Sequence, residues 1–255
     1  MNGAQAPQCL GVLGGMGPLA GAHFLKRLIE MTPAGCDQEH ISVLLRSDPR
    51  IPDRTAAMLH GGKSPLPDMM QGIALLVDAG ADCIAIPCNT AHLWYPQLAA
   101  NSHVPILHIV DAVLDDLASQ GVVDGPIGLL ATPATLALDL YQPALKARGY
   151  DVLVPQSQSF EDCVSAIELV KASRTNEALA PASRAVASLA EQHARAVVLA
   201  CTELPLALPN TCRDAFDVVI TDSVDALARR VLAVFRPDLR AEAPISPPPR
   251  PLTLA

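Results

Sequence analysis

The stretch CIAIPCNTAH at positions 83–92 decides the fold of this chain, because a second stretch, VVLACTELP at 197–205, repeats its plan. In both stretches a run of apolar residues ends at a cysteine, a polar residue follows, and a helix is predicted to begin soon afterwards. Each apolar run predicts a short buried strand. The pair therefore predicts one site built twice, with Cys88 and Cys201 at matching positions.

The rest of the chain follows the same repeat. Gly11 precedes Cys88 by nearly as many residues as Gly128 precedes Cys201, and a predicted strand surrounds each glycine. Strands alternate with helices in both halves, which predicts an α/β fold of two pseudo-symmetric domains, each a parallel sheet sandwiched between helices. Ligands of open parallel sheets bind beyond the carboxyl ends of the strands, so we expect the active site in the cleft between the domains.

Two domains and a tail are expected along the chain. Residues 7–114 together with 213–238 are expected to form the first domain, which holds Cys88, and residues 115–212 the second, which holds Cys201. The remaining segment, 239–255, is rich in proline and predicts a disordered tail or a strap across a partner.

Hydrophobic periodicity and helix-breaking residues predict the individual elements. The predicted strands are 9–13, 41–45, 83–86, 104–109, 126–130, 152–154, 196–200 and 218–220. The predicted helices are one that stops at Thr32, then 69–79, 111–119, 133–149, 160–171, 176–193 and 222–235.

Composition excludes several classes of protein. The chain has a net charge of −8 and only 3% aromatic residues, which disfavours nucleic acid as a partner. No stretch approaches the ~20 apolar residues of a membrane span, and the N-terminus lacks the features of a signal peptide, so we expect a cytoplasmic protein with no membrane partner. The seven cysteines are scattered and never spaced as Cys-x-x-Cys, which predicts neither disulfides nor a metal site.

The two strand-end cysteines suggest a specific chemistry. A thiol placed just before a helix N-terminus is expected to have a lowered pKa. Two such thiols on opposite sides of a ligand can invert a carbon centre, because one removes a proton while the other delivers a proton to the opposite face. Backbone amides at 89–90 and 202–203 suit the α-carboxylate of such a ligand, and no cofactor is required. The alternative is that both cysteines only fill space in the core.

Five motifs give the chain a family resemblance. It resembles the cofactor-independent aspartate/glutamate racemase family in GGMGP (14–18), IPDRT (51–55), PCNTAH (87–92), LLAT (129–132) and CTELPL (201–206). The resemblance implies a two-domain enzyme, often a homodimer, that acts on a small amino acid without a cofactor. It also implies that Cys88 and Cys201 are the paired acid/base residues.

The same resemblance assigns the substrate-binding residues. Arg54 would bind a substrate carboxylate, and Lys171 would assist at the side-chain end. The pocket would be lined by Met16, Asn89, Thr90, Thr132 and Thr202. Independently of the resemblance, the Glu203 backbone amide is a candidate to bind the α-carboxylate.

Some features leave alternatives open. Members of the family often carry Ser-Asn-Pro where this chain has Asp48 in the middle position, and a carboxylate facing the pocket would repel a dicarboxylic substrate. Many also have glycine where Ala200 stands. His92 either orients the Cys88 thiolate or simply hydrogen-bonds to the backbone, and Cys83 is predicted to be a core residue.

Three alternatives to an aspartate or glutamate racemase stay open at this point. The chain could catalyse a related carbanion reaction of the same superfamily, namely hydantoin racemisation, maleate isomerisation or arylmalonate decarboxylation. It could instead be a ligand-binding protein, or a thiol sensor, without turnover. A sensor requires one cysteine poised to bond another, whereas a racemase keeps its two cysteines a substrate's width apart.

Overall fold

A computed structural model describes residues 7–238 of the chain. Within this range the strands alternate with helices, as the sequence predicts. The strands are β1 (Cys9–Gly14), β2 (Ser42–Ser47), β3 (Cys83–Ala85), β4 (Pro126–Ala131), β5 (Asp151–Leu153), β6 (Ala196–Ala200) and β7 (Val219–Asp222). The predicted tail, 239–255, lies outside the described residues.

The helices of the first half are α1 (Pro18–Met31), α2 (Arg54–Leu59), α3 (Leu66–Asp78), α4 (Tyr95–Ala100) and α5 (Ile109–Ser119). The later helices are α6 (Pro133–Ala137), α7 (Gln142–Ala147), α8 (Ser157–Lys171), α9 (Thr175–Glu191), α10 (Leu204–Ala207) and α11 (Ser223–Phe235). Short 3₁₀ turns cover Asp37–Glu39, Thr90–Trp94 and Asn210–Ala215. Among residues 7–238, none of the helices is both long enough and apolar enough to cross a lipid bilayer.

The strands form two parallel sheets with the same internal order. One sheet has the order β2-β1-β3, and the other has the order β5-β4-β6-β7. In each sheet the first strand of the half is central, and the strand that leads to the cysteine lies beside it. The prediction of two parallel-sheet α/β domains is confirmed. The loops that follow the strands lie at the carboxyl edges of the sheets.

Strand β7 lies in the second sheet, although we expected it in the first domain. β7 pairs with β6, so it belongs to the second sheet, although it falls within the segment 213–238 that we placed in the first domain. The helix that follows, α11, packs against α1 and α5. The strand β7, up to Asp222, thus belongs to the second sheet, whereas the helix that begins at Ser223 packs on α1 and α5. The other domain boundaries stay a prediction.

The two halves share a hydrophobic core. Buried residues of β1 and β4, such as Val12 and Leu129, belong to one apolar cluster together with residues of α5 and α11. Separate clusters fill the outer face of each half, beneath α3 in the first and beneath α8 and α9 in the second. Each sheet is consequently covered on both faces, as its nearly continuous apolar strands require.

Two predicted elements differ in the structure. The stretch 104–109 makes only an isolated bridge between Ile84 and Ile106, because Pro105 has no N–H to continue a ladder and α5 begins at Ile109. The predicted helix 133–149 is divided into α6 and α7. Asp139 between them has a φ of 51°, and Pro143 suits only the first turn of a new helix.

Gly15 fixes the loop after β1. Its φ is 92°, and a Cβ atom at this position would lie 2.4 Å from the backbone of Asp48. Only glycine allows this close approach, so the loop 14–18 lies directly against the loop after β2.

Candidate active site

The two strand-end cysteines line a single small cavity between the halves, which we call the inner chamber. Its volume is about 10 Å³, roughly the space of one water molecule. Its walls are formed by Met16, Asp53, Arg54, Thr55, Cys88, Asn89, Thr90, Thr132, Lys171, Cys201, Thr202 and Glu203. All ten residues that the sequence analysis selected are in this set, and Asp53 and Thr55 are additions.

A second cavity adjoins the inner chamber. This outer cavity has a volume of about 410 Å³ and is lined by the loop after β1, the start of α1, the segment 49–54 and the end of α8. Four residues line both spaces, namely Asp53, Arg54, Lys171 and Glu203. Two acidic and two basic side chains therefore stand at the boundary between the chamber and its approach.

Cys201 is held as a thiol. It is buried, and its Sγ donates a hydrogen bond to Glu203 Oε2 at 3.1 Å. Burial raises the pKa of the Cys201 thiol well above its usual range, and the neighbouring Glu203 carboxylate raises it further. The predicted lowering of this pKa is wrong because burial disfavours the thiolate and Glu203 places a negative charge against the sulfur, while the following helix, α10, spans only Leu204–Ala207.

Asn89, next to Cys88, is anchored to the second half of the chain. The Tyr141 hydroxyl donates to Asn89 Oδ1, and Asn89 Nδ2 donates to Ser223 Oγ at 2.8 Å. The Ser223 hydroxyl in turn donates to the carbonyl of Leu199 on β6 at 3.2 Å. The Asn89 side chain thus has protein partners at both of its polar atoms, and these contacts fix its orientation.

Tyr141 is a site residue that the sequence analysis missed. It is completely buried, and burial, followed by the nearby Cys201, raises the pKa of its phenol well above the ordinary value. Tyr141 precedes α7 in a stretch predicted to be continuous helix, so no pattern in the sequence placed it near a strand end. The only available signal was an aromatic residue in a chain with 3% aromatic content.

Thr90 also connects the halves. Its hydroxyl lies 2.9 Å from the Thr132 hydroxyl and 3.1 Å from the Thr135 hydroxyl. Thr132 is the N-cap of α6 and accepts a hydrogen bond from the Thr135 amide at 3.3 Å. The loop that carries Cys88 is therefore tied to the loop at the end of β4.

Arg54 is a buried cation with unused hydrogen-bonding capacity. Only 8% of the residue is exposed, and its Nη1 donates to the carbonyls of Ile51 and Pro52 at 3.2 and 3.0 Å. Its Nε is buried and has no partner among the described residues. A buried donor of this kind is unfavourable unless it meets an acceptor, and a carboxylate fits the guanidinium plane.

The charges of Lys171 and Asp53 support each other. Lys171 is exposed by surface area, but part of its ammonium is desolvated, which by itself would lower its pKa. The carboxylates of Glu203 and Asp53, and either cysteine when it is a thiolate, outweigh this effect and leave the pKa above its usual value. Burial alone would raise the pKa of Asp53, yet the amide of Ala56, followed by Lys171 and Arg54, brings it below the ordinary value. Lys171 is thus an ammonium within electrostatic range of both cysteines.

Asp48 does not line either cavity. Its carboxylate accepts hydrogen bonds from Arg50 Nε at 2.9 Å and from Arg46 Nη2 at 2.9 Å. The hydrogen bonds from Arg50 are the main reason why the pKa of Asp48 is well below its usual range. The carboxylate is neutralised locally, so the repulsion considered from the sequence does not arise in this structure.

His92 has a structural environment. It is buried, its Nε2 lies 3.1 Å from the carbonyl of Ile86, and its ring stacks on Tyr95. Burial, followed by the proximity of His108, lowers the pKa of His92 to about 3. The histidine is therefore neutral and bonded to the backbone, the second of the two alternatives. Cys83 is also buried, and burial with Asp82 raises its pKa to about 11.

Comparisons with known proteins agree with this geometry. A family model described as Asp/Glu/Hydantoin racemase matches residues 13–231. The broad specificity amino-acid racemase RacX of Bacillus subtilis (strain 168) is 27% identical over 237 residues, which are 89% of this chain and 97% of that relative. A glutamate racemase of Vibrio campbellii is 31% identical over 180 residues, which are 67% of this chain and 62% of that relative.

A solved structure is similar over the same region. The Picrophilus torridus aspartate racemase has a TM-score of 0.80 with this chain at 29% identity, over 88% of this chain and 93% of that one. The match to the family model spans both sheets and both cysteine loops. The resemblance predicted from the motifs is confirmed: the chain belongs to the Asp/Glu/Hydantoin racemase family and is an amino-acid racemase.

Proposed function

We propose that this racemase inverts the α-carbon of aspartate or glutamate by a two-base mechanism, with Cys88 and Cys201 as the acid/base pair and no cofactor. The observation that carries the proposal is the shared inner chamber, in which a cysteine from each pseudo-symmetric half adjoins a buried arginine with a free Nε. Both cysteines line one space, as a two-base inversion requires; the space holds about one water in this structure, so it must widen to admit an amino acid.

The protonation of Cys201 gives the two cysteines complementary roles. Glu203 and burial favour the thiol form of Cys201, so Cys201 is the proton donor for the first enantiomer bound. Cys88, as thiolate, removes the α-proton from one face, and the Cys201 S–H bond breaks to deliver a proton to the other. For the opposite enantiomer the roles are reversed.

The cationic groups stabilise the charge that develops. Lys171 is an ammonium within range of both cysteines, so it offsets the negative charge of whichever sulfur is the thiolate. Arg54 is placed to bind a carboxylate through its free Nε. The amides that follow each cysteine remain candidates for the α-carboxylate, whose charge grows as the carbanion forms.

A second candidate is a racemase for uncharged amino acids. The observation in its favour is that the four charged side chains at the chamber boundary, Asp53, Arg54, Lys171 and Glu203, cancel in formal charge. One relative is named a broad specificity amino-acid racemase and another an aspartate racemase, which is consistent with either candidate. A free Nε on a buried arginine favours the acidic substrate.

One assay separates these candidates. The protein is incubated without added cofactor with single enantiomers of aspartate, glutamate, alanine and methionine, and chirality is followed by chiral chromatography. We expect the acidic amino acids to be inverted with the highest kcat/KM. A higher kcat/KM for alanine or methionine supports the second candidate. Inversion of none of them contradicts both, and a related carbanion reaction then becomes the better hypothesis.

Two further expectations stay predictions. We expect a cytoplasmic enzyme that acts as a homodimer on a small amino-acid substrate. Size-exclusion chromatography with light scattering tests the dimer.

A further inference from the structure

Glu203 stands between the reacting sulfur and the approach to the site. It lines both the inner chamber and the outer cavity, whereas Cys201 lines only the inner chamber. Its Oε2 accepts hydrogen bonds from the Cys201 thiol at 3.1 Å and from the Thr202 hydroxyl at 3.3 Å. The carboxylate is thus the polar group that joins the Cys201 proton to the larger space.

The other half of the chain holds this carboxylate in place. The Gly17 amide donates to Glu203 Oε1 at 3.3 Å. A Cβ atom at position 17 would lie 3.2 Å from the same oxygen, so glycine leaves room for the contact. With one oxygen bound to Gly17 and the other to Cys201, the carboxylate has a fixed orientation at the boundary of the two cavities.

We propose that Glu203 is a positioning residue that carries the Cys201 proton between the sulfur and water of the outer cavity, and so resets the free enzyme between turnovers. The inference rests on the proposed two-base function. Glu203 acts through Cys201 and was assigned above only through its backbone amide.

A two-base racemase needs such a reset. After one inversion Cys201 is a thiolate and Cys88 is a thiol, and this form of the enzyme binds only the product enantiomer productively. To accept the first enantiomer again, Cys201 must regain a proton and Cys88 must lose one. Because Cys201 is buried and does not line the outer cavity, its proton needs a carrier.

The step at Glu203 balances in protons and electrons. A hydronium ion in the outer cavity gives a proton to the carboxylate: one of its O–H bonds breaks, water remains, and a carboxyl O–H bond forms. That carboxyl O–H bond then breaks, the proton moves to the Cys201 thiolate to form S–H, and the carboxylate is restored. The proton that Cys88 loses passes to water and restores the hydronium ion. The high proton affinity of the buried sulfur makes the transfer favourable. No oxidant, reductant or second substrate takes part.

The other candidates for this role fit less well. Tyr141 lies near Cys201, but its hydroxyl donates to Asn89 and it does not line the outer cavity. Lys171 lines both spaces and interacts with Cys201 through its charge. The Cys201 thiol, however, donates its hydrogen bond to Glu203. Arg54 donates to the carbonyls of Ile51 and Pro52 and makes no hydrogen bond to Cys201 in the described part of the chain.

The test compares two fluxes at saturating substrate, using the amino acid that the wild type racemises best. The first is net conversion of a pure enantiomer, which needs the reset. The second is exchange of a carbon-14 label between enantiomers in a racemic mixture. Label exchange does not need the reset, because the reaction of the product enantiomer returns the enzyme to its starting form. The variants are Glu203→Gln, which keeps the shape, and Glu203→Asp, which keeps a carboxylate. Glu161→Gln, on the exposed face of α8, is the control.

In Glu203→Gln we expect net conversion to fall roughly 100-fold, the lower end of what a positioned proton-transfer group contributes, while label exchange falls much less. Glu203→Asp should recover part of the net conversion, and Glu161→Gln should match the wild type. An equal loss of both fluxes, or a loss of neither, overturns the inference. If Glu203→Gln does not fold, the ratio of the fluxes in Glu203→Asp decides, and a ratio equal to that of the wild type contradicts the relay. If the wild type inverts no amino acid, the proposed function itself fails.

Discussion

The hydroxyl oxygens of Thr90 and Thr132 lie 2.9 Å apart, and this contact joins the loop after Cys88 to the end of β4 in the other half of the chain. On the opposite side, the Glu203 carboxylate joins the loop after Cys201 to Gly17, which follows β1. Each cysteine loop is therefore tied to the loop that follows the first strand of the other half. The position of one cysteine relative to the other is set by these contacts as well as by the shared core.

The threonine contact predicts a coupling between the halves. Thr90→Val and Thr132→Val should each lower the free energy of unfolding by about 0.5–1.5 kcal/mol, because each removes the hydrogen bond between the two hydroxyls, while the remaining hydroxyl keeps Thr135 as a partner. The double variant should lose less than the sum, with a coupling of about 0.5–1.5 kcal/mol. Urea unfolding of the four proteins measures this. Strict additivity would show that the contact does not link the two loops.

Tyr141 should matter for both stability and turnover. Tyr141→Phe removes the donor to Asn89 Oδ1, and leaving that buried oxygen unpaired should cost about 1–3 kcal/mol in unfolding free energy. Because Asn89 follows Cys88, kcat should fall as well. Tyr150→Phe is the matched control, since the Tyr150 hydroxyl donates to Val122 outside the site. If both variants lose stability and neither loses kcat, Tyr141 only supports the fold.

His92 should make the protein less stable in mild acid. In the folded protein the pKa of the His92 side chain is about 3, against 6.5 for the ordinary side chain. Between pH 3 and pH 6.5 the unfolded chain therefore binds more protons than the folded protein. The contribution of His92 is therefore complete above pH 6.5 and is lost as the pH falls towards 3, at up to about 1.4 kcal/mol per pH unit.

Urea unfolding between pH 7 and pH 4.5 checks this expectation. The wild type should lose stability more steeply than His92→Gln over this range. His103→Gln, at an exposed position, should follow the wild type. Parallel curves for the wild type and His92→Gln would mean that His92 is not held neutral.

Arg54 should determine the preference for acidic substrates. Arg54→Lys keeps the charge but removes the Nε donor, and a hydrogen bond to a charged group contributes about 1.5–3 kcal/mol. The KM for aspartate or glutamate should therefore rise roughly 10- to 100-fold, while any activity on uncharged amino acids changes little. Arg50→Lys, an exposed arginine paired with Asp48, is the control. An unchanged KM for acidic substrates would remove Arg54 from the carboxylate site.

The fold and much of the site follow from the sequence because they depend on local patterns. Apolar runs that end at Cys88 and Cys201 define matching strand ends, and parallel sheets bring such ends to one edge. Side-chain contacts between distant segments leave no such pattern. The contact of Tyr141 with Asn89 and the placement of β7 beside β6 depend on how the halves pack, so the sequence could not reveal them.

The protonation of Cys201 is another property that the sequence pattern could not predict. A cysteine before a helix predicts a lowered pKa from backbone amides alone. The structure adds complete burial and the Glu203 carboxylate, which act in the opposite direction and outweigh the short α10. Glu203 was visible in the sequence next to Thr202, but the direction of its side chain towards the sulfur was not.

The central claim is that Cys88 and Cys201 act on opposite faces of one α-carbon. The most direct measurement follows the α-proton of each pure enantiomer of aspartate and glutamate by proton NMR in D₂O, with wild type, Cys88→Ser, Cys201→Ser and, as control, the exposed Cys36→Ser. We predict that wild type and Cys36→Ser replace the α-proton with deuterium and invert the carbon, and that neither active-site variant inverts it. Full racemisation by Cys88→Ser or by Cys201→Ser would contradict the two-base account.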